Sequence, residues 1–369
     1  MRTLRSLILL AVVVIIIANT SFAQNATNYL VSSLPGIPQN VNYSTYAGYI
    51  NTLYGPTQAN SSIFFWLIRS QFTADRQRLE SSEFLKFLDA FITIFPEFSQ
   101  EEIYIAGEHY AGTLISYIAT AILGRNNQTS TPTNLKYNLQ GIAIGNGWID
   151  PRTQYKAQYT YALSNHLIGD IYKLLIDKQL ELCLQTLRNT TTVRVKPCDQ
   201  TFGLIVNGTQ IGTGNNATCI NKYDIRDHSS IFPACGDDWP YSLPTLQAYL
   251  NRRDVITAIH ATGANITWVG CNTAVSNLLL GDDRSGPAFD ENDMEWRNRF
   301  PGTLLILQKH KNLTTTPWTV NNVLLGRMIS ERNLTYVVVY NSSRMVPANQ
   351  PRIRDIMYRF MGLDQRFVP

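Results

Sequence analysis

Short apolar runs alternate along this chain with longer segments of helical periodicity. Residues 63–68 form a compact apolar and aromatic run of strand length. From residue 81 to residue 95 the apolar side chains recur at helical spacing, with Ser82 as a candidate N-cap and Pro96 as the stop. Residues 103–106 predict a second, buried strand. The pattern therefore predicts a strand, a helix and another strand in succession.

The second predicted strand runs directly into a glycine-bounded turn, residues 107–112, and then into a helix through Leu114, Ile118 and Ile122. Another buried strand follows at residues 139–144 and is broken by a Gly-Asn-Gly sequence. A strand, a sharp turn and a helix in this order are typical of a nucleophile elbow, which raises one side chain above the sheet edge. Here the raised residue is His109. The alternative is an ordinary tight turn, because many strand–helix connections carry glycines.

The segment 151–260 is different in character from what precedes it. It is predicted to be helical around residues 154–187, and it then contains four cysteines and several glycine-rich turns. Short apolar strands return at 303–307 and 335–340, and a last helix is predicted at about 350–361. This order predicts an α/β fold interrupted by a helical insert. The expected domains are an N-terminal part of the core at 24–150, a cap at 151–260 and a C-terminal part of the core at 261–369.

The N-terminus predicts a secreted protein. Arg2 and Arg5 precede an apolar run at residues 7–18, and Ser21-Phe22-Ala23 fits the small-x-small cleavage rule. An uncleaved signal anchor is the alternative, but the run is shorter than the roughly 20 residues of a spanning helix. We therefore expect residues 1–23 to be a signal peptide. The mature chain would have no membrane span and would reside in the secretory lumen, the vacuole or outside the cell.

Glycosylation sequons support the same address, since many of them on a chain with a signal peptide indicate a glycoprotein surface. They begin at Asn25, Asn42, Asn60, Asn127, Asn189, Asn207, Asn216, Asn265, Asn312, Asn333 and Asn341. The five cysteines all lie between positions 183 and 271, in a compartment that allows disulfides. Of the three pairings open to four cysteines, the simplest is the local one, which leaves Cys271 unpaired. Its members are Cys183 with Cys198 and Cys219 with Cys235.

Charge and composition exclude several functions. The net charge is +4, and the 31 basic residues are scattered without a run of five like charges, so nucleic acid is not expected as a partner. The sequence has no C-x-x-C motif and no histidine cluster, so we expect no metal and no cofactor. His166, His228 and His260 are interpreted as ordinary histidines. The acidic pairs at 282–283 and 290–291 are interpreted as a solvated loop rather than a calcium site.

Three segments together resemble the serine carboxypeptidase family. Residues 103–112, Ile-Tyr-Ile-Ala-Gly-Glu-His-Tyr-Ala-Gly, resemble its G-E-S-Y-A-G block, and residues 145–148 match its G-N-G-W block. Residues 332–351 resemble its late H-M-V-P segment, and residues 223–226 and 233–240 add to the likeness. The most similar branch is that of the fungal pheromone-processing carboxypeptidases. The resemblance implies an α/β-hydrolase fold with a helical, disulfide-containing cap, and release of C-terminal residues from peptides as the family activity.

The resemblance also implies that the catalytic positions are substituted. His109 stands where the family has its nucleophilic serine, and Arg344 stands where it has the catalytic histidine. Asn312 is expected in the slot of the acid. The family's N-G-G-P-G-C-S-S loop is absent, with the junction near residues 69–82, so the central sheet is expected to be incomplete. The lost loop also carries a cysteine, and Cys271 resembles its partner.

Part of the family's recognition site is kept. Glu108 matches the glutamate that shares a proton with the substrate's terminal carboxylate, and Tyr110 and Met345 match residues beside that pocket. Inherited packing without a ligand is the alternative. We expect a homologue that does not hydrolyse peptides, because arginine does not deprotonate in proteins and cannot act as the base. Two other hypotheses are a pseudoenzyme that binds peptide C-termini or a protein partner, and an active carboxypeptidase represented by an incomplete gene model.

Overall fold

The computed structural model describes the chain in segments. These are residues 14–15, 26–36, 45–51, 62–68, 81–128, 135–149, 151–188, 195–213, 217–230, 242–262, 267–270, 315–331, 334–344 and 346–361. The described residues divide into two compact units, the first within Met1–Gly147 and Tyr241–Cys271, the second within Trp148–Pro240 and Asn272–Pro369. The domain boundaries expected from the sequence stay a prediction.

The first unit contains a four-stranded antiparallel sheet in the order β1-β4-β3-β2. Its strands are β1 (Val14–Ile15), β2 (Leu30–Val31), β3 (Thr45–Asn51) and β4 (Ser62–Ile68). Strand β4 is the predicted one. Strand β3 was not predicted, because it lies in a polar, turn-rich stretch. It forms because Ala47 and Ile50 bury their side chains while its backbone pairs with β4 along seven residues.

Beside this sheet the first unit has a parallel crossover. Helix α1 (Ser81–Ile94) is followed by a 3-10 turn (Pro96–Phe98), β5 (Ile103–Glu108), α2 (Ala111–Asn126) and β6 (Leu139–Gly145). Strands β5 and β6 pair in parallel, with Glu108 opposite Gly145. In the described part of the chain these two strands form a sheet of their own. Helices α6 (Ser242–Leu250) and α7 (Arg253–Ala258) complete the unit.

An aromatic cluster fills the core of the first unit. The buried face of α1 repeats at the predicted helical spacing, so each of its rings is directed to the same side. The rings pack edge-on and stacked against one another and against Phe65 of β4, with centroids 4.7–6.4 Å apart. The cluster members are Phe65, Phe84, Phe87, Phe91, Phe95 and Phe98, each at most 1% exposed.

The second unit contains three helices that are closed by a disulfide. They are α3 (Pro151–Ser164), α4 (Asp170–Arg188) and α5 (Lys196–Asn207). The stretch around 154–187 is helical as predicted and consists of two helices, with His166 between them in a left-handed conformation with φ of 52°. The predicted Cys183–Cys198 disulfide is present, with Cα atoms 4.6 Å apart. Cys219 is also disulfide-bonded, while its predicted partner, Cys235, lies outside the described residues.

The remaining strands of the second unit are antiparallel. Strands β7 (Thr218–Asn221) and β8 (Asp224–Ser230) form a hairpin. Strands β9 (Thr316–Val320), β10 (Val323–Glu331) and β11 (Leu334–Val339) form a meander in which β10 is central. Two short helices, α8 (Val346–Asn349) and α9 (Ile353–Phe360), follow β11. No helix among the described residues is long and apolar enough to cross a membrane.

Candidate active site at the strand–helix turn

The predicted elbow is present between β5 and α2. Strand β5 ends at Glu108, His109 adopts a left-handed conformation with φ of 58°, and α2 begins at Ala111. The N–H of His109 donates to the carbonyl of Gly145 at 3.1 Å, and the N–H of Gly112 donates to the carbonyl of His109 at 2.9 Å. The side chain of His109 is exposed. The turn therefore presents position 109 at the carboxyl end of the strand.

Gly107 allows α2 to pass close to the end of β5. A Cβ atom at position 107 would lie 2.6 Å from Cβ of Ala111 and 3.0 Å from Cδ1 of Ile115. Cβ atoms essentially never approach other atoms this closely, so a larger residue would push the helix away from the strand. The glycine in the motif is thus explained by packing alone. It sets the position of the helix that follows His109.

Strand β6 completes the surroundings of the turn. Its last residue, Gly145, accepts the hydrogen bond from His109, and Asn146 then reverses the chain with φ of 45°. A Cβ at Gly145 would lie 3.9 Å from Cγ of Glu108, so the two chain segments are in ordinary contact distance here. Glu108 is exposed and Tyr110 is half-buried. The structure therefore brings the predicted site residues 108, 109 and 110 together at one end of the parallel strands.

Arg344 belongs to the second unit. Its guanidinium lies over the ring of Tyr223, with Cζ 5.0 Å from the ring centroid, and its N–H donates to the carbonyl of Tyr223 at 2.9 Å. The Nζ atom of Lys222 lies 5.2 Å from the same centroid. The residue predicted for the base slot is therefore stacked on the tip of the β7–β8 hairpin.

Arg226, which forms an ion pair with Asp224, contacts the turn that carries Arg344. Arg226 donates to both carboxylate oxygens of Asp224, at 2.8 and 2.6 Å, and its Nη1 donates to the carbonyl of Asn341 at 2.8 Å. The hydrogen bonds between the two side chains lower the pKa of Asp224 and raise the pKa of Arg226. Sequence reasoning noted residues 223–226 as part of the resemblance, but it gave no signal that they contact the turn at 341–344.

The match to a protein-family model decides the family. The model of the serine carboxypeptidases matches residues 71–290, which is more than half of the chain. The chain belongs to the serine carboxypeptidase family. The family resemblance of residues 103–112 and 145–148 is thereby confirmed, since both blocks fall within the matched range.

Named relatives in the family process pheromones. The chain is 28% identical over 451 residues to the pheromone-processing carboxypeptidase of Colletotrichum graminicola, an alignment that covers 94% of this chain and 71% of the relative. It is 35% identical over 314 residues to that of Podospora anserina, covering 77% of this chain but 53% of the relative. The first alignment is longer than the 369 residues of the whole chain. It therefore contains positions of the relative that this chain does not fill.

A solved structure gives the fold of this serine carboxypeptidase homologue. The crystal structure of a prohormone-processing carboxypeptidase from Saccharomyces cerevisiae superposes with a TM-score of 0.71 at 19% identity. The match covers 92% of this chain and 96% of the other. The predicted α/β-hydrolase fold is confirmed by this likeness.

Other predicted site residues of the serine carboxypeptidase homologue lie outside the described residues. These are Asn312, Met345, Cys235 and Cys271. The acidic pairs at 282–283 and 290–291, which are interpreted as a solvated loop, also lie outside the described residues. His166, His228 and His260 are described, and all three are exposed. One ring nitrogen of His260 lies 2.9 Å from the carbonyl oxygen of Leu30. Across the described ranges, no three His, Cys, Asp or Glu side chains are grouped as a metal site would require.

Proposed function

We propose that this chain is a non-hydrolytic member of the serine carboxypeptidase family. The observation that carries the proposal is the identity of the residue at the elbow. The turn between β5 and α2 has the geometry that raises a nucleophile, and the side chain at its raised position is the imidazole of His109. Acyl transfer in this family requires a hydroxyl nucleophile, a base to accept its proton, and donors for the oxyanion. Position 109 supplies no hydroxyl.

The residue expected in the base slot supports the same conclusion. Arginine does not deprotonate in proteins, so a guanidinium in the base position cannot accept the nucleophile's proton. The contact with Tyr223 also occupies its side chain in packing. Substitution of a whole triad lowers kcat by about a million-fold in a serine protease, and loss of one oxyanion donor lowers it by roughly a further hundred-fold or more. A chain that lacks both the triad and the glycine loop retains negligible hydrolysis.

Peptide binding without cleavage is a second candidate, and the placement of Glu108 favours it. This carboxylate is exposed at the end of β5, next to His109 and Tyr110. In the resemblance it matches the glutamate that shares a proton with a terminal carboxylate. Isothermal titration with a peptide and with its C-terminal amide separates this candidate from inherited packing, which predicts no binding of either.

An incomplete gene model is the third candidate. It is favoured by the alignment to the Colletotrichum relative, which extends over more residues than this chain has, and by the odd number of cysteines, five. It does not account for His109 and Arg344, which are two separate substitutions. Sequencing the transcript across residues 69–82 tests it directly. A transcript that encodes a glycine loop at this junction would support an enzyme with more of its site than this sequence contains.

We also propose that the chain enters the secretory pathway, and we call this localisation its secretory address. It is supported by the basic and apolar N-terminus, the small-x-small sequence before Gln24 and the number of sequons. Mass spectrometry of the expressed protein, before and after enzymatic removal of glycans, tests it. We expect a mature chain that begins near Gln24 and loses mass on glycan removal. An intact Met1 with no change in mass would contradict the address.

The experiment that tests the main proposal is an assay of the purified, secreted chain on peptides with varied C-terminal residues, at acidic and neutral pH. An active family member serves as the positive control, and a serine-directed inhibitor identifies contaminating activity. We expect no inhibitor-sensitive release of C-terminal residues. Release that the inhibitor abolishes, and that copurifies with the chain, would overturn the proposal.

A further inference from the structure

The turn that leads to the base slot contains a glycosylation sequon. Asn341-Ser342-Ser343 directly precede Arg344. Strand β11 ends at Val339, and the N–H of Tyr340 donates to the carbonyl of Leu325 at 2.8 Å. Asn341 then reverses the chain in a left-handed conformation with φ of 51°, and its side chain is exposed. The acceptor residue of the sequon therefore stands at the outside of a tight turn.

The hydrogen bonds described for this turn use the backbone of Asn341 rather than its side-chain amide. The backbone carbonyl oxygen of Asn341 accepts a hydrogen bond from Nη1 of Arg226 at 2.8 Å. The N–H of Ser343 donates to Oδ1 of Asn349 at 2.9 Å, and the hydroxyl of Ser342 donates to the carbonyl of Ser343 at 3.1 Å. A substituent on Nδ2 of Asn341 would leave each of these bonds in place. The folded turn is therefore compatible with a modified asparagine.

We propose that Asn341 carries an N-linked oligosaccharide, which lies on the turn that bears Arg344. In the reaction, Nδ2 of Asn341 forms a bond to C1 of the first sugar. The bond from C1 to the pyrophosphate of a lipid-linked oligosaccharide breaks, the lipid pyrophosphate leaves with the electron pair, and the amide proton passes to a base of the transferase. The donor is found in the secretory lumen, so this inference rests on the secretory address proposed above.

Two other sequons in the described part of the chain also begin at exposed asparagines, Asn127 and Asn207. Asn127 follows the end of α2, and Asn207 is the last residue of α5. Neither asparagine lies on a turn that carries a residue expected at a catalytic position. A glycan on Asn341 has a different consequence, because an oligosaccharide is bulky and solvated and is attached three positions before Arg344. It restricts the approach of a polypeptide to that residue from the side of the turn.

The test uses the full chain secreted from a eukaryotic host. Glycans are removed with an amidase in oxygen-18 water, which converts each modified asparagine to a labelled aspartate, and the label is mapped by mass spectrometry. We expect label at position 341. Ser343→Ala should remove it and leave the label at Asn127 and Asn207 unchanged. Ser343→Thr should keep it, because threonine also completes a sequon.

Ser343 is the position to change because its bond to Asn349 uses the backbone N–H, which alanine keeps. Gln in place of Asn341 would be strained at a left-handed φ, so that variant would mix folding with modification. A thermal unfolding curve confirms that Ser343→Ala is folded. Label at Asn127 or Asn207 without label at Asn341 would overturn the proposal while leaving the secretory address intact. A chain without any glycan would overturn both the glycan at Asn341 and secretion. Neither result bears on the proposed loss of hydrolysis, which the peptide assay tests.

Discussion

Cζ of Arg344 lies 5.0 Å from the centroid of the Tyr223 ring, and the backbone N–H of Arg344 donates to the carbonyl of Tyr223 at 2.9 Å. One residue thus contacts the other through both its side chain and its backbone. In the resemblance to the serine carboxypeptidases, position 344 is the place of the catalytic histidine. The arginine at this position joins the turn after β11 to the β7–β8 hairpin.

The first prediction concerns this pair. A cation over an aromatic face at a partly exposed site contributes about 0.5–1 kcal/mol. We expect Arg344→Ala and Tyr223→Ala each to lower the free energy of unfolding by about that amount or somewhat more, and the double variant to lose less than the sum. Denaturant titrations of the four proteins measure the coupling. Arg344→Lys is the matched control and should keep part of it, and fully additive losses would show that the stack contributes nothing.

The elbow and the first helix could be predicted because their signals are local. The phenylalanines of α1 recur at helical spacing within one segment, and the turn at His109 is bounded by glycines within six residues of sequence. The close approach that requires Gly107 involves Ala111, only one turn further along the chain. Physical causes that act between near neighbours leave a pattern in the sequence.

Other features depend on residues distant in sequence. Strand β3 is formed because it pairs with β4 and buries Ala47 and Ile50, and its own composition gives little strand signal. The contact of Arg344 with Tyr223 joins the turn after β11 to the β7–β8 hairpin, and several elements separate the two in sequence. No periodicity connects such positions. Tertiary packing decides them, and it overrides local preference.

The second prediction concerns Gly107. Alanine at this position would place a Cβ 2.6 Å from Cβ of Ala111, so α2 or β5 must shift. Overpacking of this kind destabilises by about 1–3 kcal/mol. We expect Gly107→Ala to lower the thermal midpoint by several degrees, as measured by circular dichroism.

Gly203 in α5 is the matched control for that substitution. A Cβ at position 203 would meet no atom within 4 Å, and alanine is favoured over glycine in a helix by about 1 kcal/mol. Gly203→Ala should therefore leave the midpoint unchanged or raise it. An equal effect of the two substitutions would show that the close approach at the elbow is not rigid.

The third prediction concerns the disulfide of the helical insert. Cys183 and Cys198 are fully buried, and their bond closes a loop across 15 positions of sequence. A cross-link of this length stabilises a folded protein by roughly 3 kcal/mol, mainly by restricting the unfolded chain. We expect the Cys183→Ala/Cys198→Ala variant to unfold at markedly lower denaturant concentration. An unchanged midpoint, with the bond verified in the parent by mass, would contradict the prediction.

The fourth prediction concerns alkaline pH. Burial is the main cause that raises the pKa of Tyr159 to about 12, and Asp177 adds to it, because its carboxylate accepts a hydrogen bond from the phenol O–H and repels the phenolate charge. A tyrosine in the unfolded chain loses its proton near pH 10, whereas the folded protein keeps it. The contribution to stability is therefore complete below pH 10 and is lost as the pH rises toward 12. Denaturant titrations should show stability falling over this range, and Tyr159→Phe should make the fall less steep. An identical slope in the variant would contradict the assignment.

The last prediction concerns repair of the triad. His109→Ser, Arg344→His and Asn312→Asp together introduce the side-chain types that the family resemblance implies for these three positions. The left-handed backbone at position 109 is already formed, so the new serine would be raised as the histidine is now. We nevertheless expect the triple variant to release no C-terminal residues in a peptide assay at acidic and neutral pH. The single His109→Ser variant is the control: a serine-directed inhibitor that labels it reacts with the new serine without help from the other two substitutions.

The reason for this expectation is the glycine loop that the sequence lacks. Its N–H groups would stabilise the oxyanion, and preorganised donors of this kind are commonly the largest single electrostatic contribution to acyl transfer. A peptide carboxylate would meet Glu108 without the loop's groups, so its scissile bond would be held out of line with the serine, and misplacement of about 1 Å can lower a rate 100-fold. Arg344→His also removes the cation from Tyr223, which leaves the new base without the contact that holds this turn. Inhibitor-sensitive release by the triple variant would show that the loop is dispensable, and that substitution of the triad alone had silenced the site.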